Sequence, residues 1–129
     1  MTIEINNPAL QVAGQILTQQ CHAAAVDIGW WTDPKSGKGI EKNRAELVML
    51  ATTQLAKAVE GHRTSAMDTH LPHRQVFETK LAGAVMRIFD IAGEEGFDLG
   101  TTIAELIAYN QTRPDHQPAA RLAAGGKKY

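Results

Sequence analysis

Apolar residues in the middle of the chain recur at the spacing of an α-helix. In the stretch RAELVMLATTQLAKAVEGHR, on a helical wheel, one broad face collects Leu47, Val48, Ala51, Leu55, Ala58 and Val59. Gln54 falls inside this face, and Lys57 lies on its edge. Because a buried polar group is costly without a partner, the pair needs an explanation. In one interpretation Gln54 bonds to the backbone and Lys57 reaches water; in another, both belong to a site.

The same periodicity predicts three more helices. Asn7 and Pro8 suit a helix start, Gly29 and Gly61 suit helix ends, and Asp98 or Thr101 can cap the last helix. The tail after this helix has two prolines and a glycine pair, so we expect it to be extended. The pattern predicts a single all-α domain over residues 1–129, a bundle of about four helices at roughly 8–28, 42–61, 74–93 and 100–111.

Composition narrows the class of protein. Of 129 residues, 43% are apolar and 21% are charged, and the net charge is −1, which gives no reason to expect nucleic acid or a membrane as partner. The single Cys21 fits a reducing compartment. No apolar run reaches membrane-span length, and the N-terminus lacks a secretion pattern. We therefore expect a cytoplasmic protein.

Two loop features bear on possible ligands. Trp30 and Trp31 form an apolar pair in a polar loop, which either caps the core or provides a stacking wall for a planar ligand such as a nucleobase. His62, His70 and His73 are separated by eight and three positions, with no cysteine between them, which matches zinc-ligand spacing poorly. We expect no metal at these histidines.

Five segments taken in order resemble the MazG-like nucleotide pyrophosphohydrolases. They are DIGWW at 27–31, NRAELVMLATTQLAKAVEGHR at 43–63, FETKLAGAVMRIFDIAG at 77–93, AELIAYNQTRP at 104–114 and GGKKY at 125–129. The resemblance covers residues 20 to 129. It implies an all-α fold, assembly as a homodimer or homotetramer, and cleavage of nucleoside triphosphates to monophosphate and pyrophosphate. It also implies Mg²⁺ held by an E-x-x-E pair on one helix and an E-x-x-D pair on the next.

At the four positions of that magnesium site, this chain carries no acid. The resemblance places the first pair on Gln54 and Lys57 and the second on Lys80 and Gly83. Four carboxylates would carry −4, whereas these residues carry +2. Because ammonium groups repel a divalent cation, we expect the metal-dependent reaction to be absent and Mg²⁺ not to serve as cofactor.

The remaining acids leave an alternative open. A relocated magnesium site could use acids near the dismantled one, which would preserve some nucleoside triphosphate pyrophosphohydrolase activity; they are Glu46, Glu60, Glu78 and Asp90. Otherwise Glu60 and Asp90 are solvated, and Glu78 pairs with a basic residue.

Other family features survive in part. The residues that resemble nucleotide contacts are Tyr109, Asn110, Arg113, Lys127 and Lys128. Leu106 stands where the family often has a lysine, which weakens the expected phosphate binding.

Two functions are considered in place of metal-dependent hydrolysis. In the first, the lysines hold an anion such as a nucleotide phosphate or a carboxylate, and the protein is a binding module. In the second, Lys57 or Lys80 is an amine nucleophile whose pKa is lowered by the other lysine, with Glu78 as proton shuttle, and forms a Schiff base with a carbonyl compound.

Overall fold

The computed structural model describes residues 3–129, and helices account for all the regular structure in this range apart from two isolated bridges. The α-helices are α1 (Asn7–Asp27), α2 (Arg44–Thr64), α3 (Val76–Glu95), α4 (Leu99–Thr112) and α5 (Pro118–Leu122), with a short 3₁₀ helix at Pro114–His116. The predicted all-α class is confirmed. Within residues 3–129, no helix is both long enough and apolar enough to cross a membrane.

Side chains cap the starts of three helices. Asn6 Oδ1 accepts from the Ala9 amide at 3.1 Å, so the cap of α1 lies one residue before the predicted Asn7. Asn43 Oδ1 accepts from two amides at the start of α2, and Asp98 Oδ1 accepts from Thr101 N at 3.0 Å, as predicted for α4. Each cap satisfies an amide that has no partner within its helix.

Residues in the left-handed backbone conformation end α2 and α3. The prediction that Gly61 ends α2 is wrong, because the helix continues to Thr64 and Ser65 takes the left-handed conformation, with φ 53°. Gly61 is instead a contact position, since a Cβ there would lie 2.4 Å from Val76 Cγ1. Gly96 ends α3 with φ 74°, and Gly29, with φ 87°, follows α1 as predicted. The tail is not wholly extended, because α5 and the 3₁₀ helix lie within it.

The chain contacts divide into two compact units. One is Leu17–Phe97, and the other combines Met1–Ile16 with Asp98–Tyr129. In the first unit α2 packs against α3 in the antiparallel sense. Arg44 at the start of α2 pairs with Glu95 at the end of α3, and Gly61 near the end of α2 meets Val76 at the start of α3.

The buried residues of α2 are small. Ala51, Ala58 and Gly61 are its buried residues, whereas Leu55 and Val59 are 45% and 66% exposed. The predicted apolar face is therefore only partly buried within a single chain. Small side chains let the two helices approach closely, and the larger apolar side chains beside them remain at the surface.

In the second unit, α1 and α4 meet backbone to backbone. A Cβ on Gly14 would lie 2.5 Å from Gly100 Cα, and a Cβ on Gly100 would lie 2.2 Å from the carbonyl oxygen of Leu10. Backbone atoms cannot move aside as a flexible side chain can. The glycines at this crossing are thus required by packing.

We predict that Gly100→Ala destabilises the fold by about 1–3 kcal/mol, because the added methyl overpacks a backbone contact. The matched control is Gly83→Ala, whose methyl would meet only the flexible end of Gln54. The control should lie within about 1 kcal/mol of the parent, since alanine favours a helix over glycine by a similar amount. Urea denaturation measures both; equal losses would contradict the packing argument.

Candidate functional site

Asp90, on α3, is a buried carboxylate that joins three parts of the chain. Only 9% of the residue is exposed. Its Oδ1 accepts from Trp31 Nε1 at 2.9 Å and lies 2.8 Å from His22 Nδ1, on α1. The prediction that Asp90 is solvated is therefore wrong. A buried carboxylate needs such donors, because desolvation disfavours its charge.

The two adjacent tryptophans have different environments. Trp31 is 7% exposed, with its indole N–H bonded to Asp90 and its ring 5.1 Å from Lys42 Nζ. Trp30 is 46% exposed, and the guanidinium of Arg87 lies 5.3 Å from its ring centre. Trp31 thus belongs to the core, as the first interpretation of the pair had it. Trp30 has the exposure that a stacking wall needs.

A cavity of about 160 Å³ lies beside this carboxylate. Its wall is formed by Cys21, Ala24, Ala25, Ile28, Trp30, Gln54, Gly83, Met86, Arg87 and Asp90. Most of these side chains are apolar, and the polar groups come from α2 and α3. A mostly apolar cleft with a few polar groups is the usual form of a small-molecule site.

Two of the four positions implied by the resemblance meet in this wall. A Cβ on Gly83 would lie 2.9 Å from Gln54 Oε1, so the amide of Gln54 fills the space that the missing side chain leaves. Because the nearest atom is the movable end of Gln54, the glycine is not required at this position. Gln54 therefore packs across to α3, within reach of the cavity.

The two lysines at the remaining positions lie at one level of the α2–α3 pair. Gly61 meets Val76 and Gln54 meets Gly83, so each step along α2 matches one step back along α3. This register places Lys57 opposite Lys80. Lys57 is exposed and Lys80 is half-buried. Among residues 3–129, neither takes part in a salt bridge.

Arg87 adds a third cation, which the sequence reasoning missed. It shares one face of α3 with Lys80 and Gly83, at spacings of seven and four, and this periodicity could have identified it. Its guanidinium lies over Trp30, and no carboxylate among the described residues forms a salt bridge with it. We call Lys57, Lys80 and Arg87 the cation row.

The acids of the alternative metal site have other partners. Glu60 is bonded to Arg63, which lowers the pKa of the carboxyl. Glu78 is exposed and pairs with Arg74 at 2.9 Å, so its predicted pairing is confirmed. Glu46 is an exposed residue of the first turn of α2.

The donors present do not fit a magnesium ion. Within residues 3–129, no three His, Cys, Asp or Glu side chains cluster as metal ligands would. At the four positions of the resemblance the only side-chain oxygen is the neutral amide oxygen of Gln54, beside lysines that repel a cation. Mg²⁺ prefers several carboxylate, phosphate or water oxygens in octahedral geometry.

Most of the predicted nucleotide contacts lie in the second unit, where Asp115 engages two of their cations. Arg113 bonds Asp115 with two nitrogens, at 2.9 and 2.6 Å, and Lys127 Nζ lies 3.0 Å from the same carboxylate. These bonds hold the pKa of Asp115 far below its usual value. Arg113 also lies over Tyr109, at 5.6 Å, and Asn110 is exposed. An incoming anion would compete with Asp115 here.

Cys21 contributes a neutral thiol to the cavity wall. Burial raises its pKa, and the nearby charge of Asp90 raises it further. The thiol therefore packs as a small apolar group, and its alkylation proceeds slowly through the small thiolate fraction.

Comparisons of the chain with protein-family models, with curated proteins and with solved structures returned no match.

We predict that Trp31→Phe destabilises the fold by about 1.5–3 kcal/mol, because it removes a donor from a buried carboxylate. The matched control is Trp30→Phe, which removes an indole N–H with no hydrogen-bond acceptor among the described residues. Thermal unfolding should separate the two variants. Equal melting temperatures would contradict the role assigned to the Trp31–Asp90 bond.

Proposed function

We propose that this protein is a non-hydrolysing binding module, built on a MazG-like scaffold, that holds an anionic ligand at the cation row. The observation that carries the proposal is the cation row itself. Three cations lie on the facing helices α2 and α3 without a salt-bridge partner among the described residues, and one of them lines the cavity. A phosphate or a carboxylate supplies the missing charge.

The chemistry of the three side chains supports an oxyanion ligand. Arginine presents a planar fork of donors that matches phosphate and carboxylate, and lysine adds a compact charge. Asp90 is the one acid in the cavity wall, and the donors from Trp31 and His22 already engage its Oδ1. Asp90 offsets Arg87 within the cavity wall, so the excess positive charge of the site comes from Lys57 and Lys80. Ligand binding at such a site does not require a divalent ion as a bridge.

We expect inorganic phosphate and a nucleoside monophosphate to bind without Mg²⁺, and the double variant Lys57→Gln/Lys80→Gln to weaken binding about tenfold or more, since each charged contact contributes about 1 kcal/mol. Isothermal titration calorimetry measures both. The matched control is Lys35→Gln/Lys38→Gln, which removes the same charge from an exposed loop. Binding that requires Mg²⁺, or an equal loss in the control, would contradict the proposal.

Amine catalysis is a second candidate, and the register of α2 and α3 favours it. Because Lys57 and Lys80 lie at one level, a carbonyl compound bound there would meet two amines. A lysine amine in its neutral form attacks a carbonyl carbon to give a carbinolamine, whose hydroxyl takes up a proton from solvent and leaves as water, which yields a protonated imine. Glu78, paired with Arg74 and outside the cavity wall, is poorly suited to the shuttle role that was predicted for it.

We expect sodium borohydride to trap such an imine by delivering hydride to its carbon, which leaves a stable secondary amine. Incubation with an aldehyde and borohydride, followed by peptide mass spectrometry, should place the adduct on Lys57 or Lys80. The Lys57→Arg/Lys80→Arg variant is the control, because it keeps both charges and removes both amines. An adduct spread evenly over surface lysines would eliminate this candidate.

Exposed apolar side chains support self-association into the predicted homodimer or homotetramer. On α3, Leu81, Val85 and Ile88 are each more than 40% exposed, and Leu55 and Val59 on α2 are similarly accessible. No large side chain in the described chain is fully buried. Another copy of the same chain could cover this surface, since exposed apolar patches of this kind mark interaction sites.

A further inference from the structure

We infer that the 160 Å³ cavity binds the aromatic ring of a single-ring aryl anion, such as an aryl phosphate or an aryl carboxylate. This inference rests on the proposed anion site, because Arg87, the member of the cation row that lines the cavity, receives the charged substituent. The inference specifies the aromatic ring of the ligand, which the cation row cannot recognise.

The size of the cavity limits the ligand. A dry cavity of about 150 Å³ lined by apolar side chains accommodates a benzene molecule. The cavity here, at about 160 Å³, is similar in size. One six-membered ring therefore fits within it, whereas a fused ring system with a sugar would extend beyond it.

The chemistry of the wall favours an aromatic ring over a polar group. Cys21 and Met86 offer polarizable sulfur, Trp30 offers an aromatic surface, and Ala24 and Ile28 offer methyl groups. The Cys21 thiol stays neutral because burial raises its pKa. Desolvating a charged group against this wall would be costly.

The polar part of the wall fixes where the charge of the ligand lies. Arg87 lines the cavity and belongs to the cation row, so a substituent on the bound ring reaches its guanidinium. Asp90 also lines the cavity and repels an anion, so the anionic substituent is expected at Arg87 and not at Asp90. One ligand can therefore place its ring in the cavity and its anionic group at Arg87.

Phenyl phosphate and methyl phosphate form a matched pair, because they carry the same charged group with and without a ring. We expect phenyl phosphate to bind roughly tenfold more tightly by isothermal titration calorimetry, since the ring transfers apolar area from water into the cavity. Equal affinities would overturn the inference and leave the proposed anion site intact. Phenol binding as tightly as phenyl phosphate would support the ring site and contradict the anion site.

Two alanines provide a matched pair of variants. Ala24→Leu adds bulk to the cavity wall, whereas Ala23→Leu makes the same change at an exposed neighbouring position outside it. We expect Ala24→Leu to abolish the advantage of phenyl phosphate over methyl phosphate, and Ala23→Leu to preserve it. An advantage that survives Ala24→Leu in a folded protein would place the ring elsewhere and overturn the inference.

The single cysteine gives a readout in the unmodified protein, independent of whether the variants fold. Cys21 lines the cavity, so a bound ring should shield its thiol. We expect saturating phenyl phosphate to slow alkylation of Cys21 by iodoacetamide at least fivefold, and methyl phosphate at equal saturation to leave the rate unchanged. Equal rates with the two ligands would overturn the inference.

Discussion

The buried carboxylate of Asp90 organises the unit Leu17–Phe97. It holds α1 through His22 and the following loop through Trp31, while belonging itself to α3. Gly93 makes this possible, because a Cβ at that position would lie 2.4 Å from His22 Cβ. Most of the cavity wall comes from these same elements, so its shape depends on the contacts of Asp90 Oδ1 with Trp31 and His22. A buried charge with a donor removed is among the most destabilising changes a fold can suffer.

The pairing of α2 with α3 sets which side chains can act together. Gly61 allows the two helices to approach closely at Val76, whatever charges lie nearby. The same geometry could hold four carboxylates around a metal or two lysines around an anion. In this chain the backbone brings the positions together, and side-chain charge determines which ligand they suit.

The basic side chains of the two units differ in their salt-bridge partners. In the unit that contains α4, Asp115 forms salt bridges with both Arg113 and Lys127 within the chain itself. In the unit that contains α2 and α3, no member of the cation row forms a salt bridge among the described residues, although Lys80 lies close enough to Asp68 to help lower the pKa of that carboxyl. Local charge balance, rather than the number of basic residues, is therefore the argument for placing an external anion beside the cavity.

The sequence by itself determined the all-α class, the positions of the four long helices to within about three residues, and the lack of an acidic side chain at Gln54, Lys57, Lys80 and Gly83. These follow from local periodicity, capping residues and residue type, which need no knowledge of distant neighbours. Only the tertiary structure decided that Gly61 is a contact rather than a helix end, that Trp31 is core while Trp30 lines a cavity, and that Asp90 is buried. Each of these depends on contact with a residue distant in the sequence, and residue type alone does not specify which residue makes that contact.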